Sequence, residues 1–343
     1  LFMLAALIWL GIYVGGNVLH LESGFTTNYL AILDALKNSP IPMEVQKWLF
    51  AAFALSFAIK VPLFPLHTWL PDAHTEAPTP GSVILAGVLL KMGTYGLVRF
   101  NLELFPQASI EYSSVMCTLA VIGIIYGALV AMVQTDIKRL VAYSSVSHLG
   151  FVVLGIFSIT HQGLQGAIIQ MVNHGLSTGM LFICVGFIYE RRHTREISAF
   201  GGIARVMPVY ATVFAISMFA SAGLPGLNGF IGEFLTLVGA FKSPVLNSWA
   251  YTIIATTGVI FAAIYLFWMF QRVMFGENSK PENQHLTDLT KREWAIVVPM
   301  LIFIVWLGVY PNSFLKVSEA SSKATIERVM QSNTNVSEYQ QNN

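Results

Sequence analysis

The sequence predicts an all-α fold, a polytopic bundle of transmembrane helices. Of its 343 residues, 55% are hydrophobic and only 11% are charged, and the mean hydropathy is +0.63. Soluble domains typically contain about 25% charged residues. Apolar runs of roughly 20 residues, the length at which a helix crosses the hydrocarbon core of a bilayer, recur along the chain. These three observations argue against an ordinary soluble enzyme.

Nine apolar runs define the predicted membrane spans. They cover residues 1–19, 45–72, 80–100, 113–133, 139–159, 164–189, 206–242, 248–275 and 295–314. Proline and glycine clusters interrupt two of them, near residues 60–65 and 223–229, so we expect two broken helices. Residues 1–314 then form a single transmembrane domain, and the polar residues 315–343 are expected to form a loosely ordered tail.

The distribution of basic residues predicts the orientation. Ten Lys and Arg residues fall in the loops of one side, whereas the opposite loops hold only four, which are Lys37, Lys47, Arg99 and Lys242. The positive-inside rule places the first side in the cytoplasm. The opening run, from Leu1, has no basic flank before it and no small-residue cleavage site after it. It is therefore expected to be a membrane helix within a larger protein rather than a signal peptide.

Composition gives no indication of a nucleic acid, a metal or a cofactor on this chain. The formal net charge is only +1, which provides no basic surface for nucleic acid. The two cysteines, Cys117 and Cys184, lie inside apolar runs and match no metal or haem spacing. We expect both to fill the core.

Lys60 is the first candidate for a functional residue inside the membrane. It lies about 15 residues into its span, near mid-bilayer at a rise of about 1.5 Å per residue, and Pro62 and Pro65 follow it. A lysine at this depth costs free energy to bury in the bilayer, so a functional role is the default interpretation. The end of a half-helix favours the ammonium form, whereas burial disfavours it. These opposing effects predict a group that takes up and releases protons.

Lys91, His148 and His174 are three further ionisable residues within predicted spans. Lys91 lies about 11 residues into its span, too deep to reach the interface easily. His174 belongs to a polar stripe at helical spacing with Gln170 and Ser177. Hydrogen bonding between helices would explain a lone histidine. Two such histidines between membrane lysines and a glutamate favour a proton relay instead.

Glu233 completes the set of intramembrane ionisable residues. It follows a cluster of Gly, Pro and Asn residues that interrupts its span, and Asn228 could cap the second half-helix. Glu233 then lies early in that half-helix, where the positive dipole end favours a carboxylate. An acid at one break and a base, Lys60, at the other match the paired broken helices of inverted-repeat transporters. A purely structural interruption is the alternative.

A polar cluster follows the first break and includes His67, Asp72, His74 and Glu76. Two histidines and two carboxylates raise the alternative of a metal site. The cluster is rich in proline and falls at the cytoplasmic end of a span. A loop that fixes the broken helix, or a path by which protons enter, is therefore favoured over a metal.

Four motifs carry a resemblance to a known family. They are Lys60-Val-Pro-Leu-Phe-Pro-Leu-His-Thr-Trp-Leu-Pro-Asp, Leu-Leu-Lys91-Met-Gly-Thr-Tyr-Gly, Tyr-Ser-Ser-Val-Ser-His148-Leu-Gly and Gly-Leu-Asn-Gly-Phe-Ile-Gly-Glu233-Phe. They resemble the antiporter-like subunits of respiratory complex I, the proton-translocating NADH:quinone oxidoreductase, and most closely the M type, called subunit 4 in mitochondria. The resemblance extends over nearly the whole chain.

The resemblance implies a specific architecture and site. The family fold has fourteen transmembrane helices in two inverted five-helix repeats, and this chain would supply the last nine. An incomplete first repeat would cover residues 1–100, a second repeat 113–275 and a final helix 295–314. The matching relay residues are Lys60, Lys91, His148, His174 and Glu233. The family pairs its first lysine with a glutamate on an earlier helix, which would precede Leu1.

The resemblance also implies function and partners. The chain would belong to a translocase that couples remote quinone reduction to proton pumping. NADH, FMN, iron–sulfur clusters and quinone would bind partner subunits, with no cofactor on this chain. Its partners would be L-like and N-like antiporter subunits, the lipid bilayer and protons. A bacterial inner (cell) membrane is expected in preference to an organellar inner membrane.

Three alternatives remain open at this stage. A subunit of a multisubunit sodium/proton antiporter shares the fold, but many such subunits carry lysine at the position of Glu233. A photosynthetic or hydrogenase relative of complex I would keep the same residues. A scaffolding membrane protein would not need five buried ionisable groups.

Overall fold

The computed structural model describes residues 1–341, with side chains described as far as residue 332. The described residues form helices and connecting loops, and the only β-structure among them is an isolated bridge between Asp136 and Glu196. The prediction of an all-α membrane bundle is confirmed.

We number fifteen helices in chain order and leave two single-turn 3₁₀ segments unnumbered. They are α1 Phe2–Val18, α2 Tyr29–Asn38, α3 Met43–Lys60, α4 Trp69–Glu76, α5 Thr79–Leu102, α6 Pro106–Glu111, α7 Ser113–Met132, α8 Ile137–Phe157, α9 His161–Arg192, α10 Ile203–Val206, α11 Pro208–Ser221, α12 Asn228–Phe241, α13 Ala250–Met274, α14 Lys291–Val309 and α15 Asn312–Gln341.

Six of these helices are long and apolar enough to cross a membrane, namely α5, α7, α8, α9, α13 and α14. Three shorter apolar helices, α1, α11 and α12, accompany them. Helix α3 has 18 residues and carries three charged residues, Glu44, Lys47 and Lys60. The division of the chain into nine spans and two repeats stays a prediction.

Both interruptions fall where the prolines and glycines predict them. Helix α3 ends at Lys60 and α4 begins at Trp69, whose indole nitrogen donates across the gap to the carbonyl of Ile59 at 2.9 Å. The second gap separates α11 from α12. There Gly223 and Gly226 adopt φ values of 77° and 93°, a left-handed conformation that glycine adopts readily and other residues do not.

Helices α8 and α9 form the centre of the bundle. Of the membrane-length helices, α8 is the most completely buried and α9 the next. Helix α8 packs between α7 and α9, and α9 also packs against α12 and α5. The two central helices carry His148 and His174, so both histidines are shielded from lipid.

The expected loosely ordered tail is instead a helix, α15. It packs against α6 and α9, and its buried residues Ser322, Thr325, Ile326 and Val329 follow helical spacing. The stripe was missed because two of its four members are polar, which lowers the hydropathy of the segment.

A polar cluster joins α15 to the end of α5. Glu103, just beyond α5, accepts hydrogen bonds from Tyr29 at 2.5 Å and Thr325 at 2.9 Å, and pairs with Arg99 at 3.1 Å. Burial, with a smaller contribution from the Glu103 carboxylate, raises the pKa of Tyr29 well above its usual range. The phenol is therefore neutral and remains a hydrogen-bond donor.

Candidate proton-relay site

Lys91 lies just after a π-helical segment, Leu85–Leu89, within α5. Its ammonium nitrogen donates to the carbonyl of Ala86 and contacts His174 Nδ1 at 2.6 Å. A π-helical segment alters the hydrogen-bond ladder and is frequent at functional sites. A charged Lys91 ammonium has no lone pair and can only donate a hydrogen bond. Nδ1 of His174 therefore accepts, and the neutral ring carries its proton on Nε2.

Glycines allow the two helices of this pair to approach. A Cβ on Gly175 of α9 would lie 2.9 Å from the carbonyl oxygen of Gly87 in α5. A side chain at Gly175 would therefore push α5 and α9 apart, whereas a Cβ on Gly87 would make only an ordinary contact, 3.9 Å from the carbonyl oxygen of Gly175. Gly87 and Gly175 flank Lys91 and His174, so this close approach makes the 2.6 Å contact feasible.

His148 and Glu233 form a second pair, which is buried. Nδ1 of His148 lies 2.7 Å from Oε1 of Glu233, and the two side chains are only 3% and 4% exposed. Gln170 donates to the same carboxylate oxygen at 3.1 Å. The carboxylate thus has two polar partners from the two central helices, as a buried acid requires.

The two pairs meet at the histidines. The rings of His148 and His174 have centroids 5.9 Å apart at an angle of 63°. Nε2 of His174, Oε1 of Gln170 and Oγ of Ser221 are buried without a protein partner. These three residues, with His148, line a narrow gap that is too small to hold a water molecule. A proton therefore needs a small side-chain movement, with or without water, to cross between the rings.

Lys60 lies apart from these four residues. It is partly exposed at the end of α3, and among the side chains that the structure describes, up to residue 332, it has no hydrogen bond or ion pair. Its backbone is nevertheless close to α5, because a Cβ on Gly93 would lie 2.9 Å from the carbonyl oxygen of Phe57 and from the amide nitrogen of Val61. The structure therefore assembles four of the five predicted residues into two pairs and places the fifth on an adjacent element.

The polar cluster after the first break is dispersed. His74 is fully buried and stacks on Phe182 with centroids 4.5 Å apart, whereas Asp72 pairs with Arg139 at 3.1 Å. In the part of the chain that the structure describes, no three His, Cys, Asp or Glu residues are grouped to hold a metal.

Two basic residues fasten the same segment to the rest of the bundle. Arg195 donates to the carbonyl of Thr75 at 2.7 Å, and Lys138 donates to that of Ala77. These are carbonyls at the end of α4, where cations are favourable. The contacts fit the expectation that this loop fixes the broken helix.

Sequence reasoning missed one polar partner of the site. The hydroxyl of Tyr265, on α13, lies 3.4 Å from Nε2 of His148. Tyr265 is one aromatic residue in a continuous apolar span, with no polar stripe around it. Only the packing of α13 against α8 reveals the contact.

Two interrupted helices, one buried ionisable pair and one partly buried pair define the class of an antiporter-like membrane transport bundle. Residues 1–262 match the family model described as NADH:quinone oxidoreductase/Mrp antiporter, transmembrane. The chain belongs to this family.

Curated relatives carry the names of complex I subunits. The chain is 51% identical over 268 residues to NADH-quinone oxidoreductase subunit M of Rhodobacter capsulatus, covering 78% of this chain and 52% of the relative. It is 45% identical to NADH-ubiquinone oxidoreductase chain 4 of Chondrus crispus, covering 83% and 57%. The chain thus spans about half the length of the curated relatives it matches.

Solved structures agree on the fold. A chain of respiratory complex I from Thermus thermophilus with bound NADH superposes with a TM-score of 0.84 at 36% identity, covering 96% of this chain and 66% of that one. A chain of the Mrp complex from Dietzia gives a TM-score of 0.73 at 18% identity, covering 93% and 69%, and shows the fold alone.

Proposed function

We propose that the chain is part of a proton-translocating membrane-arm subunit of an NADH:quinone oxidoreductase. We further propose that Lys60, Lys91, His174, His148 and Glu233 carry the protons. The observation that carries the proposal is the end-to-end arrangement of two contacts, the partly buried Lys91–His174 at 2.6 Å and the buried His148–Glu233 at 2.7 Å. The names of the relatives support the same activity.

The first contact suits proton transfer because both partners can hold the proton. Lys91 gives a proton to Nδ1 of His174, and the ring releases its other proton from Nε2. A donor–acceptor distance of 2.6 Å is at the short end for a hydrogen bond and lies within the reach required of an acid–base pair. The step leaves Lys91 neutral, so it proceeds when the surroundings disfavour a positive charge there.

The second contact ends the relay on a carboxylate. A proton that reaches Nε2 of His148 allows Nδ1 to pass its own proton to Glu233. This transfer discharges a buried ion pair, so the products are a neutral ring and a neutral acid. Burying neutral groups is far less costly than burying charges, which makes Glu233 a suitable terminal acceptor before release.

Lys60 supplies the coupling to remote chemistry. We infer that an acid on an earlier helix approaches Lys60 or leaves it as charge changes elsewhere in the complex. An opposite charge within about 4–6 Å changes a pKa by 1–3 units, which is enough to move a proton. A positive Lys60 disfavours a second charge on the neighbouring helix that carries Lys91, so the two lysines alternate.

The redox chemistry takes place on partner subunits in this proposal. NADH, FMN, iron–sulfur clusters and quinone bind there, and this chain contributes no cofactor ligand. L-like and N-like antiporter subunits are its neighbours within the membrane arm. A bacterial cell membrane is the proposed location, supported by the relative from Rhodobacter capsulatus.

The test replaces Glu233 in the full-length subunit within its assembled complex. We expect Glu233→Gln to lower the number of protons pumped per NADH oxidised, because an amide accepts no proton. Proton uptake by inverted membrane vesicles measures this ratio. Glu190→Gln, at an exposed carboxylate, is the matched control and should pump normally. Normal pumping by Glu233→Gln would overturn the relay.

A sodium/proton antiporter subunit is the second candidate, because the family description includes Mrp antiporters. It predicts sodium-dependent proton movement without NADH oxidation. Measuring proton flux in vesicles with and without sodium, in the absence of NADH, separates the two functions.

A further inference from the structure

Tyr265 contacts the relay from a helix that contributes no other relay residue. Its side chain is fully buried, and its hydroxyl lies 3.4 Å from Nε2 of His148. Nδ1 of the same ring contacts Glu233 at 2.7 Å. The imidazole is therefore held between a carboxylate and a phenol, which approach its two nitrogens from α12 and α13.

The surroundings of Tyr265 are otherwise apolar. Its helix neighbours Ala262, Leu266 and Met269 are buried hydrophobic residues. A buried tyrosine hydroxyl requires a polar partner, so the packing of α13 directs this hydroxyl to His148.

We propose that Tyr265 is a positioning residue for the proton step between His148 and Glu233, holding Nε2 of His148 in both charge states of the ring. The proposal rests on the proposed function. A hydroxyl donates to the lone pair of the neutral ring and, after rotation, accepts from the N–H of the imidazolium. Phenylalanine can do neither.

Loss of the hydroxyl affects the charged ring more than the neutral ring. Hydrogen bonds to charged groups are about twice as strong as neutral ones, so the imidazolium loses more when its Nε2 partner is removed. Transfer of a proton onto Nε2 of His148 is therefore less favourable in the variant than in the parent. The variant should consequently pump poorly at high pH and recover as the proton concentration rises.

The groups that face His148 do not reverse the expected direction of this pH dependence. Glu233 from α12 favours the charged ring in both forms of the protein, and His174 and Gln170 face it from α9. Helix α7 presents Cys117, which contacts the carbonyl of Leu154. Helix α4 brings Asp72, His74 and Glu76 toward the other end of α8, where Asp72 pairs with Arg139. Lys91 reaches the site only through His174.

The experiment compares Tyr265→Phe with Tyr210→Phe in the full-length subunit of the assembled complex. Tyr210 is equally buried, but its hydroxyl donates to the backbone carbonyl of Cys184 at 3.0 Å. Protons pumped per NADH oxidised are measured in inverted vesicles from pH 6 to pH 8.5. We expect the number of protons pumped per NADH oxidised by Tyr265→Phe to be about threefold or more below that of the parent at pH 8. At pH 6 it should stay within about twofold of the parent. Tyr210→Phe should show no pH-dependent change.

A second substitution guards against misassembly. Difluorotyrosine at position 265 keeps the shape and the hydroxyl but makes the oxygen a weaker acceptor. It should shift the profile in the same direction by a smaller factor. Profiles of both Tyr265 variants that parallel the parent or Tyr210→Phe would overturn the proposal.

The outcome for Glu233→Gln separates the two proposals. If that variant pumps normally, the relay itself fails, whatever Tyr265→Phe does. If Glu233→Gln stops pumping while the Tyr265 profiles are unshifted, only the role of Tyr265 is refuted.

Discussion

Replacing Lys91 by arginine tests whether the first lysine–histidine pair moves a proton or merely provides a positive charge. Arginine keeps the charge and can still donate to the carbonyl of Ala86 and to Nδ1 of His174. A guanidinium, however, holds its proton about 100- to 1,000-fold more tightly than an ammonium, which corresponds to about 3–4 kcal/mol. If Lys91 releases its proton in every cycle, that penalty falls directly on the transfer step.

The structure sets the expected size of the effect. The 2.6 Å contact leaves no room for an intervening water, so His174 Nδ1 is the immediate acceptor. We therefore expect Lys91→Arg to slow proton transfer through this subunit at least about tenfold, so that the assembled complex pumps fewer protons per NADH oxidised. A purely electrostatic or structural role for Lys91 predicts a much smaller loss.

The assay is proton uptake by inverted vesicles together with NADH oxidation. A native gel, together with the reduction of an artificial electron acceptor by NADH, verifies that the complex is intact. Lys242→Arg, at an exposed lysine, is the matched control. An unchanged number of protons pumped per NADH oxidised by Lys91→Arg would refute the reasoning, because a guanidinium cannot serve as a proton carrier.

Two further predictions concern assembly. Arg191 binds both oxygens of Glu293, at 2.6 and 2.8 Å, in a pair that is 12% and 9% exposed. Arg191→Met should cost about 3–5 kcal/mol by leaving Glu293 unpaired, and the double variant with Glu293→Gln should regain part of this, as measured by the thermal inactivation of the complex. Equal losses in the single and double variants would contradict this account. A Cβ on Gly229 would lie 2.0 Å from the carbonyl oxygen of Ala220, whereas Gly16 has only an ordinary contact at 3.5 Å. Gly229→Ala should therefore reduce the amount of assembled complex on native gels and Gly16→Ala should not, and equal amounts would argue against a rigid second break.

The sequence predicted the breaks and the ionisable residues because both violate the ordinary rules of a membrane helix. Prolines after Lys60 and glycines before Glu233 mark the two helix interruptions in the sequence. Helical spacing likewise assigned His174 and Gln170 to one face. Spacing within a helix says nothing about which other helix approaches that face, so the pairing of His174 with Lys91 had to come from the structure.

Other features lay outside the reach of sequence patterns. Tyr265 is an aromatic residue in an apolar span, and such a residue ordinarily fills the core. Helix α15 was missed because its buried stripe includes Ser322 and Thr325, which lower the hydropathy of the segment. In both cases the decisive information is a tertiary contact, and tertiary contacts override local composition.

Helix α15 has a consequence for the relay that its polar sequence conceals. Through Thr325 it holds Glu103 at the end of α5, and Gln165 of α9 donates to the carbonyl of Leu315 at 3.5 Å. The same helix thus spans the two elements that carry Lys91 and His174. If Lys91 passes a proton to His174 as proposed, the distance between these two side chains governs that step, and α15 contacts both helices that set this distance. A helix that carries none of the ionisable groups would then influence the proposed step.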